Sequence, residues 1–201
     1  MTKKIVLASG NMGKAQEFGA ILAPLGFELH LQKEFEVPEV AENGLSFMEN
    51  ALIKARHAAK YSQLPALADD SGLCVDALNG APGIFSARYC GKWGHDQENN
   101  AKLLKALDGI PAPQRTAHYY VALAYVRSEH DPVPIVVTGS WDGTIATKAL
   151  GSGGFGYDPL FLVTGRNCTA AQLPPQIKNT ISHRARALAL LVSELKRAHE
   201  I

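Results

Sequence analysis

The chain has 201 residues, of which 46% are hydrophobic and 19% are charged, a composition typical of a globular protein rather than a disordered one. Its 20 basic and 19 acidic residues leave a formal net charge of +1, which argues against a general nucleic-acid-binding role because such proteins carry a basic surplus. No run approaches the roughly 18 apolar residues of a membrane span. The three cysteines lie far apart, so neither a disulfide framework nor a structural zinc site is expected, and a cytoplasmic location is the default.

The first half of the chain predicts alternating strands and helices, because compact apolar runs alternate with segments of helical periodicity. Spacing between Ser46 and Glu49 is that of a capping box, which marks a helix start. In chain order, the expected elements are a strand at 3–9, a helix from about Lys14 to Gly26, a strand at 27–32, a helix from Ser46 to about Tyr61, and a short strand from Pro65 that ends in Asp69-Asp70-Ser71-Gly72. Leu73-Cys74-Val75 is expected to continue in extended form.

The second half predicts a strand pair between helices. In chain order, the expected elements are a long loop at 80–94, a helix capped by Asp96 and closed by Gly109, extended stretches at 115–127 and 134–141, a strand at 160–163, and a helix from about Ser182. Adjacent paired strands argue against a purely parallel sheet. We therefore expect an α/β fold, with a mixed β-sheet flanked by helices on both sides, in one domain over residues 1–201.

Three familiar motifs are excluded by their context. Gly10 and Gly13 are separated by two residues, whereas a Walker A loop needs four. The glycines at 151, 153 and 156 match a dinucleotide-binding pattern, but a strand rather than a helix follows them, and the dinucleotide site requires the helix. Ser71 lies in Asp-Asp-Ser-Gly, which does not match the nucleophile elbow of serine hydrolases.

Two segments predict a phosphate and metal site. Residues 9–14 (Ser-Gly-Asn-Met-Gly-Lys) lead from a strand into a helix, and a helix N-terminus with a nearby lysine favours an anion. Asp69 and Asp70 repel each other unless a cation intervenes, and Mg²⁺ is bound in proteins by one or two carboxylates plus substrate phosphates. Glu42 is a second candidate carboxylate. Each segment taken alone also fits an ordinary turn.

Two further segments predict a base-binding site. Glycines on both sides of Phe155 let a flat ligand approach its ring, and aromatic rings stack on bases. Lys178 and Ser182-His183-Arg184 place several hydrogen-bond donors around a helix start, where they can recognise oxyanions or base carbonyls. A tight turn with a core Phe155 and an N-cap at Ser182 is the alternative. All four segments together describe a nucleoside triphosphate site.

The same segments identify a family resemblance. The chain contains Ser-Gly-Asn-x-Gly-Lys, Glu-Asn-Gly-Leu-Ser-Phe-x-Glu-Asn-Ala, Lys-Ala-Arg, Ala-Asp-Asp-Ser-Gly-Leu, Gly-Ala-Pro-Gly-Ile-x-Ser-Ala-Arg-Tyr, Gly-Gly-Phe-Gly-Tyr-Asp-Pro and Lys-Asn-x-Ile-Ser-His-Arg in this order. In this it resembles the inosine triphosphate pyrophosphatase family, most closely its bacterial branch of XTP/dITP diphosphatases. The resemblance implies a Mg²⁺-dependent, homodimeric hydrolase that converts ITP, dITP and XTP to the monophosphate and pyrophosphate. It also implies an elongated sheet in two lobes with the active site in the cleft between them.

Residue roles follow from the resemblance by position. It makes Asp70 the catalytic acid/base and a metal ligand, with Glu42 as a second magnesium carboxylate. The substrate-binding residues that it implies are Ser9, Gly10, Asn11, Met12, Gly13, Lys14, Lys54, Ser71, Phe155, Gly156, Tyr157, Asp158, Lys178, His183 and Arg184. Residues 174–177 (Pro-Pro-Gln-Ile) depart from the acidic residues common in relatives, which leaves the local chain path open. A nucleotide sensor without turnover and a hydrolase of other nucleotides remain alternatives.

Overall fold

The fold is taken from a computed structural model that describes residues 2–200. Its strands are β1 (Lys3–Leu7), β2 (Phe27–Leu31), β3 (Ala66–Val75), β4 (Thr116–Val126), β5 (Ile135–Ile145) and β6 (Phe161–Val163). Its helices are α1 (Met12–Leu22), α2 (Phe47–Ser62), α3 (Asp96–Ala106), α4 (Pro175–Ile181) and α5 (His183–Arg197). No helix within the described residues is both long and apolar enough to cross a membrane.

The six strands form one sheet in the order β2-β1-β3-β4-β5-β6. Strand β1 pairs in parallel with β2 and with β3, whereas β5 and β6 are antiparallel. The sheet is therefore mixed, as the sequence predicts, and the α/β class is confirmed. Helices fill the connections after β1 and β2, which parallel pairing requires because the chain must return to the same end of the sheet.

The chain divides into two compact units. The first comprises the chain up to Asp70, Val121–Thr138 and the chain from Arg186 on, and the second comprises Ser71–Tyr120 and Gly139–Ala185. The boundaries fall inside strands β3, β4 and β5 and inside helix α5. The single domain over residues 1–201, and the lobes and cleft that the resemblance implies, stay predictions.

The first unit has a hydrophobic core on each face of its strands. Consecutive residues of β1 point to opposite faces because side chains alternate along a strand. One face packs against α1 and α5 through Ile5, Leu7, Phe18, Leu22, Leu123, Leu188, Leu191 and Leu195. The other face packs against α2 through Val6, Ala8, Ala51, Ala55, Ala58, Ala66, Ala68 and Ala122. The small alanines on both surfaces let α2 lie close to the strands, and the predicted helices on both sides are confirmed here.

The second unit has its own core around aromatic side chains. Tyr119, Trp141 and Phe161 are buried on neighbouring strands, with ring centroids 4.7–6.4 Å apart. Leu103 of α3 and Leu107, the residue that follows this helix, complete the cluster. Tyr157 and Leu160, which follow the Gly-rich loop at 151–156, belong to the same cluster and join that end of the loop to the core.

Three expectations from the sequence are corrected. Strand β3 runs without interruption through Asp69 and Asp70 to Val75, so the predicted short strand from Pro65 and the extended Leu73-Cys74-Val75 form one strand with no break at the aspartates. Asp96 is the first residue of α3 rather than its cap, since His95 holds the N-cap position. Helix α4 was not expected, because seven residues carry too little periodicity to be recognised.

Candidate functional site

The turn between β1 and α1 has the form that the sequence predicts for an anion site. The Ser9 hydroxyl accepts a hydrogen bond from the Asn11 N–H at 3.1 Å, and the Asn11 side chain accepts one from the Lys14 N–H at 3.1 Å. Asn11 is thereby the N-cap of α1. Residues 10–13 are exposed, so the N-terminal end of the helix dipole faces solvent and favours an anion.

Lys14 reaches back from α1 to a buried aspartate within β3. Its ammonium lies 2.5 Å from Asp69 Oδ1, and the Asp69 side chain has no exposed surface. A carboxylate is buried at such a cost that it needs a cationic partner. Asp69 therefore fixes the position of the Lys14 ammonium beside the helix N-terminus.

Lys54, on α2, joins the two residues that the resemblance makes metal ligands. Its ammonium lies 2.7 Å from Asp70 Oδ1 and 3.5 Å from Glu42 Oε2, and it donates to the Asp69 carbonyl at 3.0 Å. The structure therefore brings Glu42, Lys54 and Asp70 together around one ammonium group.

Asp70 has the electrostatic environment of a general base. Burial raises its pKa above the ordinary value, and Lys54 partly offsets that rise. A raised pKa makes a carboxylate a stronger base, which favours general-base catalysis. Its second oxygen, Oδ2, is buried and has no hydrogen-bond partner among residues 2–200. An orphaned carboxylate oxygen of this kind is suited to a cation or a water molecule.

The loop that carries Glu42 is fixed to α2 by its neighbours. The Gly44 N–H donates to the buried Asn50 side chain at 2.9 Å, and Glu49 accepts from the Leu45 N–H at 2.7 Å. A Cβ at position 44 would lie 2.6 Å from the Glu49 Cβ, so only glycine fits there. Ser46 is confirmed as the N-cap of α2, with the Glu49 N–H donating to its hydroxyl at 3.2 Å. The reciprocal bond of the predicted capping box is shifted by one residue, because Glu49 accepts from the Leu45 N–H rather than from the Ser46 N–H.

The charges of this group fit a divalent cation. Lys14 and Lys54 face the three carboxylates of Glu42, Asp69 and Asp70, so the group carries no surplus positive charge for a polyphosphate. Within the described residues, no set of three or more His, Cys, Asp and Glu side chains could hold a metal ion. Mg²⁺ needs only one or two protein carboxylates when phosphates complete its coordination, and Glu42 and the free oxygen of Asp70 fit that requirement.

In the second unit, Phe155 stands at the tip of the Gly-rich loop. Its side chain is 46% exposed. The Lys178 ammonium lies 5.0 Å from the ring centroid and the Arg184 guanidinium carbon 6.0 Å from it. Phe155 is therefore not the core residue of the alternative interpretation, and its ring is available for stacking.

Asp158 binds the backbone of this loop and the side chains beside it. Its buried carboxylate lies 2.5 Å from the Lys178 ammonium, and it accepts hydrogen bonds from the Phe155 N–H at 2.9 Å and the Tyr119 hydroxyl at 3.2 Å. Burial, reinforced by Asp158, holds the Tyr119 pKa well above its ordinary value, so the hydroxyl stays a donor. The Tyr157 side chain is also buried, and its hydroxyl donates to the Ser86 carbonyl at 2.8 Å. Tyr157 would therefore contact a substrate through its backbone.

His183 and Arg184 lie at the start of α5. The His183 ring stacks on Tyr119 at a centroid distance of 4.9 Å and an interplanar angle of 11°. Arg184 is buried and donates to the Ser71 hydroxyl at 3.4 Å. Ser182 accepts from the Ala185 N–H at 3.2 Å, which confirms it as an N-cap. The structure brings Ser71, Phe155, Lys178, His183 and Arg184 into the same unit, around the loop that Asp158 supports.

Sequence reasoning missed the partners that hold the site residues. The sequence indicates Asp69 only as a neighbour of Asp70, and Asn50 is not among the predicted site residues. Tyr119 gave no signal, because an aromatic residue in a strand is ordinarily part of a core. The signal that could have found Asp69 and Asn50 is polarity at positions where the strand and helix patterns require burial.

Comparison with known proteins agrees with this geometry. Residues 5–194 match the sequence profile of the Ham1 family. The chain is 55% identical over 193 residues, 96% of each chain, to the dITP/XTP pyrophosphatase of Vibrio parahaemolyticus serotype O3:K6. The structure of a HAM1 protein from Coxiella burnetii superposes with a TM-score of 0.92 at 48% identity, covering 98% of this chain and 100% of that one.

A second solved structure gives the same result. The Staphylococcus aureus Ham1 protein is 38% identical, with a TM-score of 0.88 over 98% of this chain and 100% of that one. Agreement in sequence and in fold over nearly the whole length confirms the resemblance drawn from the motifs. The chain therefore belongs to the Ham1 family.

Proposed function

We propose that this protein is a nucleoside triphosphate pyrophosphohydrolase that acts on ITP, dITP and XTP and so removes deaminated purines from the nucleotide pool. Relatives named dITP/XTP pyrophosphatase, at 50–55% identity over nearly the whole chain, support this activity. The observation that carries it is Asp70, a buried carboxylate of raised pKa that pairs with Lys54 through one oxygen and has no hydrogen-bond partner among residues 2–200 at the other.

Asp70 acts as the general base. Its carboxylate takes a proton from a water molecule as the water oxygen attacks the α-phosphorus. The bond from that phosphorus to the bridging oxygen breaks, and pyrophosphate leaves with the electron pair. Lys14 and Lys54 stabilise the negative charge that gathers on the phosphate oxygens. Residues 9–13 bind the triphosphate through the backbone of the helix N-terminus.

Glu42 and Asp70 are the proposed ligands of Mg²⁺. Mg²⁺ held by these two carboxylates would supply positive charge to offset that of the phosphates and of the leaving pyrophosphate. Support comes from the free oxygen of Asp70 and from the lack of surplus positive charge around Lys14 and Lys54.

The loop at 153–158 and the start of α5 are proposed to bind the base and sugar of the same nucleotide. Hypoxanthine and xanthine carry a keto acceptor at C6, where adenine carries an amino donor. Donors from Lys178, His183 and Arg184 aimed at that oxygen would be left unpaired against adenine, and such mismatches discriminate by ~10⁴ or more. GTP, which shares the keto group, is rejected through its 2-amino group.

Two broader proposals accompany this activity. We propose a homodimer, as the resemblance implies, and light scattering at micromolar protein concentration tests it. We also propose a cytoplasmic location, because the nucleotide pool that the enzyme would cleanse is there, and cell fractionation tests it. A monomer, or a protein recovered outside the cytoplasm, would contradict these two proposals without affecting the chemistry.

Pyrophosphate release with Mg²⁺ from ITP, XTP, ATP and GTP at equal concentration tests the activity. We expect rapid release from ITP and XTP and nearly none from ATP and GTP. Asp70→Asn should abolish turnover and leave ITP binding, measured by calorimetry, largely intact. Asp142→Asn, an exposed aspartate on β5, is the matched control and should behave as wild type. Binding without release in the wild-type protein would support a nucleotide sensor instead.

A further inference from the structure

Both backbone polar groups of Gly156 are held by side chains of α3. The Gly156 N–H donates to Asp96 Oδ2 at 2.7 Å, and the Gly156 carbonyl accepts from Asn100 Nδ2 at 2.8 Å. Asn100 and Asp96 are one helical turn apart, and Asn100 Nδ2 also donates to the Asp96 carbonyl at 2.9 Å. The two side chains therefore hydrogen-bond both the N–H and the carbonyl of Gly156, the residue that follows Phe155.

The loop needs such a restraint because its glycines do little to limit the conformation of its backbone. Gly154 and Gly156 both have positive φ, at 73° and 61°, and glycine loses more conformational freedom on ordering than any other residue. The Phe155 ring is half exposed and is not part of the buried cores. Its position is therefore set by the backbone on its two sides, which Asp158 holds at the Phe155 N–H and α3 holds at Gly156, together with the cations of Lys178 and Arg184 near the ring.

Asp96 does not cap helix α3, which is the usual role of an aspartate at a helix start. The N-cap of α3 is His95, which makes no side-chain capping bond. Glu98, the other acidic residue of the first turn, pairs with His95 at 2.9 Å and Lys92 at 4.0 Å. Asn100 Oδ1 is buried with no hydrogen-bond partner among residues 2–200. The hydrogen bonds of Asn100 and Asp96 to Gly156 offset the free-energy cost of burying this oxygen without a partner. The contact with the loop, 60 residues away in sequence, is what distinguishes Asp96 from Glu98.

We propose that Asp96 and Asn100 are positioning residues of the base site, which clamp Gly156 so that the Phe155 ring is held ready to stack on the purine. This inference rests on the proposed function, in which Phe155 binds the base. Neither residue touches the nucleotide. The clamp acts on binding of the base rather than on the attack at phosphorus, because the reacting groups Lys54 and Asp70 lie in the other unit.

Steady-state kinetics of ITP hydrolysis by Asp96→Ala test the clamp. Loss of a hydrogen bond to a charged acceptor predicts a rise in KM of about tenfold, while kcat changes by less than about twofold because ground state and transition state lose the same contact. Asp96→Asn keeps an acceptor oxygen and should recover most of the lost affinity. Glu98→Ala is the matched control, since it removes an equal charge from the same helix turn, and it should leave KM unchanged.

A double-mutant cycle with Phe155→Ala separates the clamp from the proposed function. Phe155→Ala alone should raise KM by about tenfold or more, as loss of one stacked base does. In that background Asp96→Ala should add less than about twofold, because a clamp without its ring has nothing to position. Asn100→Ala, checked for folding by its thermal midpoint, should repeat both results.

Each outcome of the cycle is decisive. An unchanged KM in Phe155→Ala would overturn the base-stacking role itself, and the clamp with it. A raised KM in Phe155→Ala, with wild-type KM in Asp96→Ala, would overturn the clamp and leave the proposed function standing. Effects of Phe155→Ala and Asp96→Ala that multiply would also overturn the clamp, because Asp96 would then act independently of the ring.

Discussion

Replacing Lys54 by methionine should destabilise the protein in a pH-dependent way. The ammonium of Lys54 lies 2.7 Å from Asp70 and 3.5 Å from Glu42, with side chains only 14%, 10% and 21% exposed. Methionine keeps the length and apolar stem of the side chain and removes its charge. The variant therefore leaves two carboxylates close together without their shared counter-charge.

The size of the effect follows from the geometry. At 2.7 Å and an effective dielectric constant of about 20, the gross attraction between Lys54 and Asp70 is about 6 kcal/mol. Part of it only offsets desolvation, and breaking a buried pair costs about 3–5 kcal/mol in practice. Because the pair retains some exposure, we expect the free energy of unfolding to fall by about 3 kcal/mol at pH 8. For a chain of this size the thermal midpoint should fall by about 6–12 °C.

The sign of the pH dependence is fixed by Asp70. Burial raises its pKa and Lys54 lowers it, so removing Lys54 raises the pKa of Asp70 further. The cost of the unpaired carboxylate is complete above that pKa and is relieved as the pH falls through it, when Asp70 takes up a proton. The difference in thermal midpoint between Lys54→Met and wild type should therefore be smaller at pH 5 than at pH 8.

Thermal denaturation at both pH values, followed by circular dichroism, is the assay. Lys60→Met is the control on the same helix, because Lys60 is 59% exposed and lies 3.7 Å from Glu129. An exposed pair of this kind contributes about 0–1 kcal/mol, so its midpoint should barely move. A wild-type midpoint for Lys54→Met at pH 8, or a cost that grows as the pH falls, would refute the reasoning.

Two further predictions concern the loop of Glu42 and the connection between β4 and β5. Gly44→Ala places a Cβ 2.8 Å from Asn50 Oδ1 and displaces the loop, so the Mg²⁺ concentration for half-maximal activity should rise about 10-fold or more; an unchanged Mg²⁺ titration would contradict the ligand role of Glu42. Asp131→Ala removes an acceptor of two backbone N–H groups at 2.9 Å and of Arg127, and should cost about 2–4 kcal/mol in urea denaturation at pH 7. Burial would raise the Asp131 pKa, but these donors lower it below its ordinary value, so the cost should fade as the pH drops through that pKa, and a constant cost would contradict this account.

The architecture of the fold could be predicted because its signal is local. Apolar periodicity located every strand and four of the five helices, and the boundaries differ by a few residues. The mixed sheet followed from the adjacent extended stretches that became β4 and β5. Helix α4 was not predicted because the prolines at 174 and 175 suggest a turn, although proline is also compatible with the first turn of a helix.

Strand β3 shows why a local pattern can mislead. Two aspartates followed by Ser-Gly indicate a turn, yet the strand continues through them to Val75. The carboxylates remain in a buried strand because Lys14 and Lys54, which are 55 and 16 residues away in sequence, neutralise them. Partners at such separations belong to tertiary structure, and neither a propensity nor a motif spacing contains them.

The candidate site was predictable as a set of residues but not as a set of contacts. The motifs indicated phosphate, metal and base groups, and the structure assembles Glu42, Lys54 and Asp70 in one unit and the base-directed residues in the other. Asp96 is an example of a contact that the sequence alone does not predict. Its type and position indicate a helix cap, whereas its carboxylate holds the backbone of Gly156 in a loop 60 residues away.

Hydrolysis of ITP in water enriched in ¹⁸O tests the central claim most directly, since the label records which phosphorus is attacked. Mass spectrometry of the products should find one ¹⁸O atom in the monophosphate and none in the pyrophosphate. Asp70→Asn should give no labelled product over the same time. Label in pyrophosphate, or release of orthophosphate, would place the attack at another phosphorus and contradict the roles given to Asp70, Lys14 and Lys54.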